Sequence, residues 1–284
     1  MNRLSAERRT QIISCLVEGM SVRATARVAG VEKRTVLRLL EQAGKACTEY
    51  QDAALRNLPS RRVQCDEIWS FCYAKSKNVP AEKRGTFGVG DVWTWTAIDA
   101  DTKLIISWFI GGRDAGAAFE LASDLEGRLA SRIQLTTDGH RAYLSAVEAT
   151  FGIGIDYAML VKIYGPDTNE GAAHRYSPPQ CIGCETNVVS GNPDPDHIST
   201  SYVERQNLTM RMAMRRFTRL TNGFSKKIEN HRHAVALHFM HYNFARVHQT
   251  LRVTPAMEAG VADHVWTIEE IIALIPQEEV VILR

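Results

Sequence analysis

Apolar positions along the chain fall into distinct rhythms, and the rhythm changes where the fold should change. Over the first 46 residues they recur at three- and four-residue spacing, the period of a helix with one buried face. Ile12, Ile13, Leu16 and Val17 form the stripe of a predicted helix over 5–18, closed by Gly19. Ser21 suits the cap of a second helix from Val22 to Ala29, with Ala24 and Val28 inward, and Gly30 suits the turn after it. Val36, Leu37, Leu39 and Leu40 predict a third helix over 32–42, ending near Gly44. Three short helices with a glycine at the second turn match the helix-turn-helix pattern. The third opens on Glu32, Lys33, Arg34 and Thr35 and carries Arg38. Side chains of this kind suit base edges and phosphates, so Lys33, Arg34, Thr35 and Arg38 are candidate DNA contacts.

Residues 47–62 read as a linker ending in Arg61-Arg62. The period then shortens to two. Val63–Phe71, Val92–Ile98 and Lys103–Ile110 predict three strands, the last two joined through the turn Asp99-Ala100-Asp101-Thr102. A helix over 114–130, a strand Ile133–Thr137, a helix His140–Ala149 and a strand Tyr157–Tyr164 follow. Three strands, helix, strand, helix, strand is an α/β order in which an antiparallel meander enters a mixed sheet. Residues 165–197 are rich in proline and glycine and read as an ordered insertion loop. Helical spacing returns over Tyr202–Arg216 and Ser225–Phe244. Thr254-Pro255 then caps a short helix, and a last helix lies near Ile268–Leu274. The expected division is a helix-turn-helix unit over 1–46, the linker, a catalytic unit over 63–252 and a helical tail over 253–284.

Composition adds that 45% apolar residues can supply a real core. The net charge of +2 hides two basic regions. Residues 1–46 carry nine Lys/Arg against four Asp/Glu, and residues 205–232 carry eight against Glu229 alone. Phosphates are the natural partner of such clusters, which makes Arg215, Arg216, Arg219, Lys226 and Lys227 further candidate DNA contacts. The opening Met-Asn-Arg-Leu leads into no apolar segment, so no signal peptide is expected. No stretch approaches the roughly 20 apolar residues of a membrane span, so no membrane partner is expected. Six scattered cysteines suggest a reducing compartment, and the expectation is a cytoplasmic, nucleoid-associated protein.

Three carboxylates stand out by position. Asp66 lies inside a strand, where a charge is unfavourable unless it is exposed or has a role. Asp138 follows a strand end, where sites gather in α/β sheets. Glu204 lies in the first turn of a helix, where Ser201 and Glu204 also fit a capping box. Two divalent ions about 4 Å apart can stabilise the attacking and leaving oxygens of an in-line displacement at phosphorus, and Mg²⁺ asks for only a few carboxylates because it keeps waters. Cys181 and Cys184 form half of a zinc site, with His174 or His197 as completing ligands, but a single C-x-x-C is a weak signal and the expectation is against structural zinc. His231, His233, His238, His241 and His248 fall on several helix faces, which favours packing or DNA contact; Asn243 and His248 could approach the site from the helix end.

The sequence resembles the DDE-class insertion-sequence transposases, specifically the InsB-like group of insertion sequence one, over almost its whole length. The segments that carry the resemblance are Gln64-Cys65-Asp66-Glu67-Ile68-Trp69-Ser70-Phe71, Gly90-Asp91-Val92-Trp93-Thr94-Trp95-Thr96-Ala97, Thr136-Thr137-Asp138-Gly139-His140 and Ser201-Tyr202-Val203-Glu204-Arg205-Gln206-Asn207. The stretches Met210–Gly223 and Tyr242–Leu251 also match. The resemblance implies a ribonuclease H-like core and a triad of Asp66, Asp138 and Glu204 that binds Mg²⁺, with Mn²⁺ as an alternative. It implies cleavage at the end of a mobile element followed by strand transfer of the freed 3′-hydroxyl, with the N-terminal unit on the terminal repeats. Its implied partners are double-stranded DNA, as element ends and target, and a second copy of the chain in a dimer or larger assembly. It also implies a basic residue seven positions after the glutamate, here Arg211, which shares a helix face with Glu204. The gap between Asp138 and Glu204 is long for the class, which keeps Glu185, Asp194 and Asp196 open as the third carboxylate. A nuclease that cuts without joining and a helix-turn-helix transcriptional regulator remain open as other readings.

Overall fold

The computed structural model describes residues 4–165, 181–218 and 221–276. The Ser5 side chain accepts from the Arg8 N–H at the start of α1 (Ala6–Val17). Ser21 does the same for Ala24 at the start of α2 (Val22–Val28). Each cap satisfies a backbone donor that the helix leaves unpaired. Gly19 and Gly30 take φ of +81° and +60°, a region costly for a side chain, and reverse the chain after each helix. Ile12, Ile13, Val36, Leu39 and Leu40 are buried where these helices meet the next.

That next helix, α3 (Lys33–Ala54), does not end near Gly44. Residues 47–54, read from the sequence as connecting chain, form its last turns. Gly44 serves packing and not termination: a Cβ there would lie 2.4 Å from the Cβ of His233, on a later helix, α7 (Ile228–Met240). The two helix backbones approach that closely because Gly44 has no side chain. Further along, the buried Gln51 donates from Nε2 to the Ala236 carbonyl at 3.2 Å. Arg128 donates to the Leu55 carbonyl at 3.2 Å and to Asp52 Oδ1 at 2.8 Å. The second half of α3 is thus tied into the body of the protein.

The body is a mixed six-stranded sheet in the order β3-β2-β1-β4-β5-β6. β1 (Arg62–Cys72), β2 (Gly90–Asp99) and β3 (Ile105–Gly111) form an antiparallel meander. β4 (Gln134–Thr137) pairs parallel with β1, and β5 (Asp156–Tyr164) parallel with β4. The helices α4 (Ala115–Glu126) and α5 (Ala142–Phe151) supply the crossovers that parallel pairing requires. These elements match the alternation in the sequence closely. β6 (Cys181–Ser190) does not: within the expected insertion loop, it pairs antiparallel with β5. Its residues are exposed on both faces, so no apolar alternation marks it as a strand.

Helices cover both faces. Trp95, fully buried, packs edge-on to Tyr143 of α5 with ring centroids 5.3 Å apart; burying a side chain of this size contributes roughly 1.5–3 kcal/mol. On the other face α6 (Ser201–Ala213) and α7 cover Ile68, Val92 and Ile110 with Val203, Met210, Val235 and Phe239. A π-helical turn, His241–Ala245, continues α7. Its Asn243 is buried, accepting from the Ile105 N–H at 2.9 Å and donating to the Ile105 carbonyl at 3.0 Å. Asn243 therefore completes the backbone bonding at the start of β3 and does not approach the acidic site. α8 (Pro255–Glu258) and α9 (Ile268–Ala273) close the described chain, capped by Thr254 and by a Thr267–Glu270 capping box. Among the described residues no helix is long and apolar enough to cross a membrane.

Candidate active site

The parallel pairing of β1 with β4 runs from Arg62–Gln134 to Cys65–Thr137. The next residue on each strand is an aspartate, Asp66 and Asp138. β1 continues through Asp66 because β2 pairs with it as far as Cys72. β4 stops because Asp138 turns the chain: its Oδ1 accepts from the His140 N–H at 3.0 Å. Gly139 packs on Val161, where an added Cβ would lie 3.0 Å from Cγ2. The fold thus brings Asp66 and Asp138 together at one strand end.

It also brings Glu67. Alternation sends Glu67 to the opposite sheet face from Asp66, but β4 ends beside them, and the two faces meet over its C-terminus. Carboxylate oxygens of Asp66, Glu67 and Asp138 lie within 4.8 Å of one another. On one face, Asp66 Oδ2 accepts from Asn207 Nδ2 of α6 at 2.8 Å, and Oδ1 accepts from the Glu67 N–H at 2.8 Å. On the other, Glu67 Oε1 accepts from Arg113 Nε at 2.7 Å, and Oε2 from the Tyr143 hydroxyl at 3.3 Å. The Glu67 side chain is 1% exposed.

This crowding is electrostatically unfavourable without a cation. Burial, with the charges of Glu67 and Asp138, pushes the Asp66 carboxyl up to about 7; the Glu67 N–H works weakly against it. Glu67 is also raised, by burial and then by Asp138, with Arg113 opposing. Burial holds the Tyr143 phenol well above its ordinary range. A donor set made of oxygens fits a hard divalent cation, and the charge it would bring is what these carboxylates lack.

Glu204 stands apart from that group. The helix begins after Thr200, with Ser201 already its first residue and no side-chain cap bond, so the Ser201–Glu204 capping box is not formed. Glu204 Oε1 accepts from Thr200 Oγ1 at 2.6 Å, and Oε2 pairs with Lys162 of β5. Its charge still reaches Asp66 as a small raising influence. Of the other third-carboxylate candidates, Asp194 and Asp196 lie at the far end of β4. Asp194 donates its N–H to Gln134 Oε1 at 2.8 Å, which places it at the opposite end of β4 from Asp138, with Asp196 beside it in a 3-10 turn. Glu185 is an exposed residue of β6, opposite Val161.

Among the candidate DNA contacts, Lys33, Arg34 and Arg38 are exposed on the first turns of α3, and Thr35 is half-buried. Arg211 is exposed on the last turn of α6, two turns beyond Glu204. Arg215, Lys226 and Lys227 are exposed. Arg216 is not: it turns inward, Nη1 donates to Ser225 Oγ at 2.6 Å, and burial lowers its pKa to about 10. Of the adjacent residues Arg215 and Arg216, one is exposed and the other is drawn inward to Ser225, which charge counting could not reveal. Arg219 lies outside the described residues.

Cys181 and Cys184 are exposed free thiols on β6. Of their expected partners, His174 lies outside the described residues, and His197 pairs with Asp194 at 3.6 Å. Among the described residues the one grouping of three or more metal-type ligands is Asp66, Glu67 and Asp138. His231 is a packing residue, buried between Ser70 Oγ at 3.3 Å and Ser225 Oγ at 3.0 Å. His248 is half-buried and bonds Thr250 at 3.0 Å.

Two residues of the site escaped sequence reasoning. Glu67 was hidden by the alternation that assigns it to the far face. Asn207 carried a signal: it lies three positions after Glu204, on the same helix face.

No family model matches the chain, and no curated protein matches it. Solved structures similar to it include the Mos1 transposase paired-end complex with left transposon end (12% identity, 55% of this chain and 60% of that one, TM-score 0.23). They include the Mos1 mariner paired end complex with Mn (11%, 84% and 76%, TM-score 0.30) and a piggyBac transposase synaptic complex with hairpin DNA (11%, 95% and 70%, TM-score 0.41). The chain spans 60% of the length of the first of these. At such identities and scores, fold and chemistry rest on the residues described above.

Proposed function

We propose that the chain is a DNA transposase of the DDE class, with a ribonuclease H-like core, related to the InsB-like group of insertion sequence one. The observation that carries this reading is the meeting of Asp66 and Asp138 one residue past the last β1–β4 pair, in an all-oxygen cluster. A meander of three strands followed by two parallel strands, with helices on both faces, supports the fold assignment. The three N-terminal helices, with Lys33, Arg34 and Arg38 exposed, support a helix-turn-helix role on the terminal repeats.

In this reading Asp66 and Asp138 hold Mg²⁺ or Mn²⁺, and Glu204 completes the triad from α6. Such a cation, when bound, stabilises charge on the phosphate and on the attacking and leaving oxygens. Asn207 orients the Asp66 carboxylate. Lys162 and Thr200 hold Glu204 one helical turn from Asn207. Arg113 balances Glu67, so that the acidic centre survives burial. Arg211, Arg215, Lys226 and Lys227 contact phosphates without reading sequence. The reaction is hydrolysis of a phosphodiester at the element end, which frees a 3′-hydroxyl, then attack of that hydroxyl on a target phosphodiester, which joins it to the target 5′-phosphate and expels the target's 3′-oxygen as a hydroxyl. Two ends must be handled together, so the working form is a homodimer or larger, and its place is the cytoplasm, on the nucleoid.

The test is cleavage and joining of labelled DNA that carries the element's own end, with Mg²⁺, by wild type and Asp138→Asn. Cutting and joining by wild type, lost in the variant, is expected. Cutting without joining would reduce the protein to a nuclease. Equal activity of both proteins would remove Asp138 from the chemistry. Tight binding with no chemistry in any metal would favour a regulator.

A further inference from the structure

The acidic centre continues into an aromatic surface that the chemistry above does not use. β1 runs on past Asp66, and alternation places Trp69 and Phe71 on the same sheet face as Glu67. On β2, Trp93 lies opposite Trp69 in register. On the edge of β1 away from β2, a bridge from Cys72 to Ser225 brings the segment before α7 alongside. Phe224 comes with it, its ring centroid 4.7 Å from that of Phe71. The Trp69 and Phe71 centroids are 5.7 Å apart, and the two ring pairs incline by only 35° and 32°, so the rings form a shallow platform. Trp95, opposite Glu67 on the same face, is sealed under α5, whereas Trp69, Phe71, Trp93 and Phe224 stay half-buried. Cations stand over these rings. Lys75 Nζ lies 5.8 Å from the Trp69 centroid and 5.9 Å from that of Phe71. Lys226 Nζ lies 4.2 Å from Phe224, and the Arg113 guanidinium 4.7 Å from Trp93. The carboxylate of Asp91, opposite Phe71 in register, is taken up by the Ser76 N–H at 3.2 Å. Cross-strand packing explains why aromatic rings meet. It does not explain why these are left half-open, under cations, on a surface that starts at Glu67.

These features together suit one class of ligand. An unpaired base offers a flat face to an aromatic ring, and its phosphate offers negative charge to the cation beside that ring. Arg113 joins the two sites, since it ion-pairs with Glu67 and also covers Trp93. We propose that Trp69, Phe71, Trp93 and Phe224 form a stacking platform for unpaired bases of the DNA strand whose phosphate lies at Asp66 and Asp138. The inference rests on the DNA-handling reading above and deepens it: the substrate is DNA with unpaired nucleotides beside the cut phosphate, and not intact duplex alone. Successive same-face positions on β1 are about 6.5 Å apart, so the run from Glu67 to Phe71 spans about 13 Å. That length accommodates about two or three bases, the number a sheet-borne aromatic set commonly stacks. Lys75 and Lys226 carry their charge on flexible stems, so they swing from ring to phosphate when a base takes the ring face.

The experiment measures DNA binding by the full chain without divalent metal, so that no strand is cut, for wild type, Trp69→Leu and Phe224→Leu. The labelled probes share one duplex: blunt, with a three-nucleotide overhang on the 3′ or the 5′ side, and with the same overhangs made abasic. An abasic overhang keeps every phosphate and removes every base, so it separates stacking from phosphate contact. Fluorescence anisotropy gives Kd for each probe. Wild type is expected to bind an overhang of one polarity about tenfold more tightly than its abasic twin. That ratio should hold as salt is raised, because the two probes release the same counterions, while both affinities fall. Each variant should bring the ratio to within about twofold and keep wild-type affinity for the blunt duplex. Equal binding of the overhangs and their abasic twins by wild type would overturn the proposal and leave a surface that reads charge alone, as an acidic peptide supplies. A ratio that survives both substitutions would overturn it too. A wild type that binds none of the probes would overturn the platform and the DNA-handling reading together, whereas blunt-duplex binding without a base preference overturns the platform alone. Thermal melting guards against misfolding: if Trp69→Leu, inside a strand, melts early, Phe224→Leu, in the segment before α7, decides.

Discussion

Asp66 and Glu67 are neighbours in one strand, yet opposite faces of the sheet hold them with different chemistry. Asp66 meets a neutral carboxamide, Asn207, and its pKa rises to about 7. Glu67 meets a guanidinium, Arg113, at 2.6 Å, so its countercharge is already present. One carboxylate is left in need of a cation, and the other is largely neutralised by the protein. The difference teaches where an added ion would act: on the Asp66–Asp138 side, with Glu67 as a structural charge behind it.

Neutralising each carboxylate in turn separates the two roles. Asp66→Asn should reduce DNA cleavage to background, while Glu67→Gln should retain most of it. Equal loss in the two variants would make Glu67 a ligand in its own right. Next in size, Asn207→Ala should lower cleavage or Mn²⁺ affinity by about 10–100-fold, as expected for a group that orients a ligand. A KM change with kcat and metal affinity untouched would argue for a DNA contact instead. Arg113→Met should cost about 1–3 kcal/mol of stability by leaving Glu67 unpaired, measured by chemical denaturation. Adding Glu67→Gln to it should recover part of that loss; no recovery would mean that Arg113 acts through packing on Trp93, whose ring it covers at 4.7 Å.

The crowding at Asp66 also has a pH signature. The Asp66 carboxyl ionises near 3.8 ordinarily and near 7 in the folded protein. A raised folded value favours the fold fully below about pH 4, and that contribution is lost as pH rises through about 7. The stability of Asp66→Asn relative to wild type should therefore grow from about pH 4 to about pH 8 in chelator and shrink when Mn²⁺ is added. A difference that is flat with pH would show that Asp66 is not crowded as described. The smallest effect is expected at the far sheet edge: Cys181→Ser with Cys184→Ser should shift stability by no more than about 0.5 kcal/mol and leave bound zinc, by elemental analysis, at zero in both proteins.

What the sequence made legible, and what it did not, follows from burial. β1 to β5 carry apolar and β-branched runs because helices bury their faces, and α4 and α5 carry apolar stripes where they pack on the sheet. β6 lies at the sheet edge with both faces exposed, so its sequence looks like loop. Gly44 reads as a helix stop because glycine is a poor helix former, whereas its real constraint is His233, which lies far away in sequence. Asp66 and Asp138 stood out as acids at strand positions that ordinarily reject them. Glu67 and Arg216 were invisible as to role because their directions depend on where β4 ends and where Ser225 lies.

The length of α3 has one further consequence. Its 22 residues, at about 1.5 Å each, make a rod of roughly 33 Å. The end that bears Lys33, Arg34 and Arg38 is one piece with the end clamped by Ala236 and Arg128. Such a rod works as a ruler. If the chain handles DNA as proposed, the angle and depth at which its exposed tip would meet a DNA groove are set by packing around Gly44, so the spacing between a recognised sequence and a cut phosphate would be a fixed property of the protein, and a bulkier residue at position 44 would change the distance measured.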